Sequence, residues 1–400
     1  MRAVTNPTGA VSATGTAARG IIESSTFLGV DTALGALRAN ARNWLIIDSV
    51  VGAGGLTAIQ SGWTIQGSQL NGNGWYSAFE IVSGVVVRDT SIVGSWASSP
   101  SANSQSMIFS DVSFDGNLSI SPASPTALSS LLTRVEFRGG VPLIGHATIR
   151  SSRFTLPPGT GGSFTWSSIV DTAILGNTIS FGFTNTTISR SLVRAPEISI
   201  GNGSIFDSVI LGSIVVPTPG VPQTRLVGNF IQGTSARPQV VRVDWGGSPG
   251  GQPIVIANNV FHRGNSLSTA YAITENHASA DPGAVMNNAF VGFAPANIYL
   301  DEVSSPLADV GRLNTLSQLS ACARGGNLAF DTDAMAGLRS SDPMSPLVGR
   351  ITTGPLIDAA RSIPYTCDGW TIGASTTDFT GANPRVCRAG QDIGAYEVCP

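Results

Sequence analysis

Residues 65–292 can be written eleven times over as one phrase. It consists of an apolar residue, two variable residues, Ser, Thr or Asn, one variable residue, a second apolar residue, one variable residue and often Gly. The first apolar position is Ile65, Val87, Phe109, Leu132, Ile149, Ile169, Ile188, Ile205, Leu226, Ile256 and Val285. The second, five residues on, is Leu70, Ile92, Phe114, Phe137, Phe154, Ile174, Val193, Ile210, Ile231, Phe261 and Phe290. Copies recur every 17 to 23 residues, and about every 30 near the end. A period of this size marks a solenoid. The residue types suit strands, and helical periodicity is absent. Residues five apart face opposite sides of a straight strand. Both are apolar here, so the chain must bend between them.

The Ser, Thr or Asn of the phrase is expected at that bend, where its side chain can bond backbone groups and its stacked equivalents. Val112 and Val135 are the exceptions. The trailing glycines (Gly72, Gly94, Gly116, Gly139, Gly176, Gly212, Gly233 and Gly292) are expected at the next corner with positive φ. Coils of about 20 residues with three short strands make a parallel β-helix. The expected fold is therefore all-β: a single β-solenoid of about 11–12 coils, with capped ends because each coil buries its inner face only against its neighbours.

The division expected is an N-terminal segment and capping helix over 1–44, the β-helix over 45–293, and a C-terminal cap over 294–400. The helix is read in 31–44, where Asp31 would be the N-cap and Leu34, Leu37, Ala41 and Trp44 fall on one face. Two longer segments, 234–253 and 265–283, interrupt the late coils. Loops on a rigid scaffold are where binding sites tend to sit.

Charged residues are 12% of the chain, about half the usual share, and the net charge is −3. All 22 basic residues are Arg. A nucleic-acid-binding surface is not expected on this balance. No apolar run is long enough for a membrane helix. The first fifteen residues have no apolar core of the secretory kind, so export would not rest on a signal peptide in this chain. Cys322, Cys367, Cys387 and Cys399 all fall in the last fifth. That clustering suits two disulfides in an oxidising compartment, with three pairings open.

The terminal segment carries a resemblance. GPLIDAA (354–360), TTDFTGANPR (376–385) and GQDIGAYE (390–397) resemble, in order and spacing, the closing block of bacterial surface proteins of the choice-of-anchor Q, right-handed parallel β-helix class. The resemblance implies a right-handed coil and an extracellular or cell-surface location, and no single activity. Asp378, Arg385, Asp392 and Glu397 within it read most simply as ion pairs and turn bonds holding the cap together.

Two places could carry chemistry. The residue two after the first apolar position should face outward, and this column brings Asp89 next to Asp111, with Asp115 and Glu136 close by. Close carboxylates repel, which raises one pKa or recruits a cation such as Ca²⁺, and glycoside hydrolysis needs such a pair. Arg134 and Arg190 in the same column could instead neutralise the acids. The second place is the late loop with His262, Arg263, Glu275, His277 and Asp281, a set able to abstract a proton from an acidic sugar or hydrolyse it. The His spacing fits no zinc motif, and Ca²⁺ is the only cofactor the charges suggest. The residue just before the second apolar position turns apolar along the later coils: Ala173, Leu192, Val209, Phe230, Val260 and Ala289. A stripe of that length is not left wet. Either the segment after 294 folds over it, or a second subunit or another protein does. Three functions are compatible with the sequence: a non-catalytic structural, adhesive or carbohydrate-binding rod; a polysaccharide lyase or glycoside hydrolase; and a subunit of a surface appendage or virion fibre.

Overall fold

The computed structural model describes residues 11–399 apart from 14–19, 28–36, 40–42, 53–55, 60–61, 72–73, 77–83, 99–106, 121–128, 177–180, 218–223, 235–236, 245–253, 265–270, 278–279, 302–304, 308, 317–318, 361–363, 368–369, 373–376 and 385–390. The chain forms two compact units, residues 1–168 with 172–175, and residues 169–171 with 176–400. Each is a stack of parallel strands. In the first unit Ile65, Val87, Phe109, Leu132 and Ile149 stand in one register column, and Leu70, Ile92, Phe114, Phe137, Phe154 and Ile174 in another. In the second unit the columns are Ile188, Ile205, Leu226, Ile256 and Val285, and Val193, Ile210, Ile231, Phe261 and Phe290. Both apolar positions of all eleven copies are at most 2% exposed. The protein is a parallel β-helix.

The bend differs in detail from expectation. Its unusual backbone lies one residue before the Ser/Thr/Asn: Asp89, Asp111, Arg134, Ser151, Asp171, Arg190, Asp207, Asn258 and Asn287 all have φ between 46° and 56°. A left-handed residue turns the strand through the corner, so both flanking apolar side chains point inward. The hydroxyl or amide after it then ties the coils together. The Ser25 amide donates to Ser49 Oγ, Ser49 to Ser68 Oγ, and Ser68 to Thr90 Oγ1. In the second unit the ladder becomes amide on amide. Asn229 donates from its backbone and its side chain to Asn259 Oδ1, Asn259 likewise to Asn288, and Asn288 to Asn327, each at 3.0–3.1 Å. Asn314, the last residue of the helix Val310–Asn314, accepts the final pair. The glycine expectation holds at Gly94, Gly116 and Gly292, which have positive φ, and is corrected at Gly139, Gly176, Gly212 and Gly233, which do not; Gly72 lies outside the described residues. At Gly212 the reason is space, since a Cβ there would collide with the Ala195 carbonyl.

The coils run past both ends of the expected β-helix. Strands Gly20–Glu23 and Thr26–Phe27 pair with Trp44–Ile47 and Val50–Val51. The phrase is present there as Ile22, Ser25, Phe27 and as Ile46, Ser49, Val51. The capping helix of 31–44 is accordingly corrected. Leu37–Ala39 is a strand paired with Val11–Ala13, and Trp44 opens the next strand, while residues 31–36 and 40–42 lie outside the described residues. Local helical spacing lost to strand pairing on both sides. Beyond 293, Arg324–Gly325 and Leu328–Phe330 form another coil, hidden from the sequence reading because Arg324 occupies the first apolar position.

The rest of the C-terminal segment folds over the apolar stripe. Val209, Phe230, Val260 and Ala289 are at most 1% exposed, packed against Ala336, Val348, Ile351, Leu356, Ile393, Ala395 and Tyr396, with Leu192 at the margin. Ala173, in the first unit, is half-buried beside Arg153. Covering the stripe with the chain's own segment removes those four residues as an interface for a second subunit. The acids of the closing block secure the cover. Asp378, 0% exposed, accepts from Thr380, Asn383 and the Glu397 amide. Asp392 accepts from the Asp358 and Val398 amides, and Glu397 from the Asp392 amide. Arg385 lies outside the described residues. Cys322 is joined to Cys367; Cys399 is also disulfide-bonded, and Cys387 lies outside the described residues. No described helix is long and apolar enough to cross a membrane.

Candidate functional site

The corner that turns each coil with a left-handed residue also aims that residue's side chain away from the core, because its neighbours on both sides point in. In the first unit this sets Asp89, Asp111 and Arg134 on successive coils. Strands Val85–Val93 and Met107–Asp115 are in continuous register, so Asp89 lies against Asp111. An open depression of about 340 Å³ is lined there by Asp89, Thr90, Ser91, Asp111, Val112, Ser113, Arg134 and Glu136. Asp115, expected close by, is exposed at the end of the strand that carries Asp111 but is not among the residues lining the depression.

The carboxylates are not left to repel one another. Arg134 grips Asp111 with two parallel bonds, from Nε at 2.6 Å and Nη2 at 2.7 Å. The bonds from Arg134 hold the Asp111 carboxyl below the usual carboxylate range, against a smaller opposing effect of desolvation. Arg138 pairs with Glu136 at 2.7 Å. The second unit repeats the device, with Arg190 bidentate on Asp171 at 2.8 and 2.9 Å. These exposed pairs align side chains more than they stabilise the fold.

Of the late-loop set, Glu275 and Asp281 come together, while His262 is taken up by the cap. His262 is 5% exposed, and both of its nitrogens are committed. Nδ1 accepts from the Gly264 amide at 2.8 Å, so Nε2 carries the proton and donates to Asp333 Oδ1 at 2.8 Å. That bond is the main reason the Asp333 carboxyl lies below its ordinary range. His262 therefore fastens the short cap helix Asp333–Ala336 to a coil and has no lone pair to offer a substrate. His277 is exposed and Arg263 half-buried. Glu275 is instead drawn into a group with Asp281 and Asp301, whose carboxylate oxygens lie within 4.8 Å of one another. Glu275 is 1% exposed because its strand sets it in register with Val243. Oxygens of this kind suit a hard cation such as Ca²⁺, although three are fewer than the six to eight it usually takes. Asp301 was not among the sequence candidates. Its signal would have been the strand Tyr299–Asp301 as one more copy of the Ile273 lane.

A second corner lies three residues before the first apolar position. It is left-handed at Asn43, Gly62, His146, Trp166, Asn185 and Asn202, though not at Gly84, Ser129 or Pro282. His146 and Trp166 stack with ring centroids 5.7 Å apart and 13° between planes. Trp166 is 51% exposed. Burial holds the His146 imidazole below its ordinary pKa, so the ring is neutral at neutral pH.

Taken together, the fold and the corner side chains define a parallel β-helix with an ion-paired acidic depression and an exposed aromatic stack. No known family model, curated protein or solved structure matches the chain.

Proposed function

We propose that this is a non-catalytic carbohydrate-recognition protein of the cell exterior, and that the depression around Asp89, Asp111 and Arg134 receives the sugar. The observation that carries the reading is the lining of that depression. Carboxylates, a guanidinium and the hydroxyls of Ser91 and Ser113 are held outward by a rigid ladder. Such paired donors and acceptors match the hydroxyls of a sugar. The acids outnumber the bases, Asp89, Asp111 and Glu136 against Arg134 in the lining, so the ligand class favoured is a neutral or amino-bearing polysaccharide rather than an acidic one.

Catalysis is disfavoured at the same place. A glycosidase needs one carboxyl raised so that it is still protonated at the working pH. The Arg134 bonds push Asp111 in the other direction. The closing-block resemblance and the disulfides support an exterior, oxidising location. The test is a panel of soluble β-glucan, mannan, amylose and chitosan, with polygalacturonate as the acidic control. Binding and the appearance of new reducing or unsaturated ends are both scored. Binding to a neutral or basic member, weakened in Asp89→Ala and Asp111→Ala and without new ends, is the expected outcome. New ends that vanish in Asp111→Ala would make it a hydrolase or lyase. Silence from the whole panel would refute recognition.

A further inference from the structure

Trp166 is a costly residue for the corner it occupies. The backbone there is left-handed, φ 52°. Asn and Gly adopt that conformation with least strain, and they fill the equivalent corner at Asn43, Gly62, Asn185 and Asn202. A bulky aromatic is a true outlier in this region. The coil would turn as well with Asn, so the indole is not there for the turn. Nor is it there for the core, since half of it remains in solvent while the inward Phe164 of the same coil is fully buried. His146, one coil earlier, is likewise left-handed, φ 48°, and lies flat against the indole. Its imidazole is partly buried and neutral, so the pair presents an apolar surface without charge.

The pair is also placed usefully. Four residues, Ala147 to Arg150, separate the His146 corner from the next left-handed corner at Ser151. Their strand is in register with Ser130–Thr133, which runs into Arg134. The aromatic stack and the Asp111–Arg134 pair thus flank one strand lane of the first unit, about 16 Å apart along the strand direction for five residue steps at 3.3 Å each. The edge between them carries hydroxyls, with Ser129 Oγ 3.4 Å from Thr148 Oγ1.

We propose that Trp166, backed by His146, is an aromatic subsite on which one ring of the polysaccharide rests its apolar C–H face, while another part of the chain bonds the Asp111–Arg134 depression. This rests on the carbohydrate reading above and gives it a second contact and a direction across the lane. An uncharged sugar is the occupant favoured over a nucleic-acid base, which would bring phosphates to a chain of net charge −3.

The test compares wild type, Trp166→Asn, Trp166→Phe and Asp89→Ala on the polysaccharide that wild type binds most tightly. Trp166→Asn should bind about three- to ten-fold more weakly, the scale of one aromatic contact, while its thermal midpoint stays level or rises because Asn relieves the corner. Trp166→Phe should keep most of the affinity. Asp89→Ala should weaken binding independently. If Asp89→Ala weakens binding and Trp166→Asn does not, the aromatic subsite is wrong and the carbohydrate reading survives. If no member of the panel binds wild type, both are wrong. A Trp166→Asn variant whose midpoint falls in step with its affinity would show a packing role and would also overturn the subsite.

Discussion

Replacing Asn259 with Ala should open the amide ladder from its middle. Asn259 Oδ1 accepts from the backbone and the side-chain nitrogen of Asn229, both at 3.0 Å. Its own Nδ2 donates to the Leu226 carbonyl at 2.8 Å and to Asn288 Oδ1 at 3.0 Å. Asn259 is 0% exposed, so water cannot take over these roles without entering the core. The Asn229 side chain keeps its bond to the Ile205 carbonyl, and Asn288 Oδ1 keeps the Asn259 backbone amide. The Asn229 backbone N–H keeps nothing comparable. One orphaned buried donor costs about 1–3 kcal/mol, and three further buried bonds contribute roughly 1 kcal/mol each net. The expected loss is about 4–6 kcal/mol, a large part of the stability of an ordinary domain. A stack of coils need not unfold in one step, so a global midpoint is a blunt readout. Native-state hydrogen exchange at the Asn229 amide is the direct one, with urea unfolding as its companion. Exchange there should accelerate by several orders of magnitude, more than at Ile65 or Phe109 in the first unit. Asn259→Asp is the control. It keeps the acceptor for Asn229 and removes both donated bonds, so at neutral pH it should be no better than Ala. An Asn229 amide that exchanges as slowly in Asn259→Ala as in wild type, with a stability loss under about 1 kcal/mol, would refute the view that the ladder binds these coils together.

Two further outcomes follow from the cap. Tyr396 is 5% exposed in the cluster over the stripe, and burial pushes its phenol up to about 12. A folded-state pKa raised above the unfolded value near 10 contributes stability that is complete below about pH 10 and lost as pH rises through about 12, roughly 2–3 kcal/mol in all. Phenolate absorbance and an apolar dye should therefore report loosening of the cap in that alkaline window, and Tyr396→Phe should abolish the tyrosine part of it. A wild-type profile indistinguishable from that of Tyr396→Phe would count against the burial. Cys322 and Cys367 close a span of 45 residues, for which the chain-entropy argument gives about 4 kcal/mol. Cys322→Ser with Cys367→Ser should lower the urea midpoint of the cap correspondingly, and an unchanged midpoint would show that the crosslink stabilises little.

Most of the second unit's interior was legible because a repeated phrase reports the same environment many times. One Ile might face either way, but Ile205, Leu226, Ile256 and Val285 cannot all be chance. The same logic exposed the outward stripe, and hence the need for the cover that the cap supplies. It failed where a single residue broke the phrase, as Arg324 does, and where a competing local period was heeded, as in 31–44. Of the candidate sites, the position of Asp89 and Asp111 on one corner was readable from spacing. Arg134 was readable as a neutralising partner as well, because it falls in the same outward column 23 residues on. Asp333, 71 residues from His262, was not, because it lies in the cap beyond the repeat. Trp166 went unnoticed because its signal is a backbone conformation, and φ is not written in side-chain type.

The sequence by itself determined which residues of each coil face the core. That follows from a property of single strands: alternation with one bend per phrase leaves only one way to bury every Ile, Val, Leu and Phe in the two columns. Tertiary structure alone decided what lies over the outside. The cap's seat on Phe230 and Val260, the diversion of Glu275 to Asp281 and Asp301, and the exposed indole of Trp166 all depend on which coil or segment comes alongside. That choice is made by packing between distant parts of the chain, which no local period encodes.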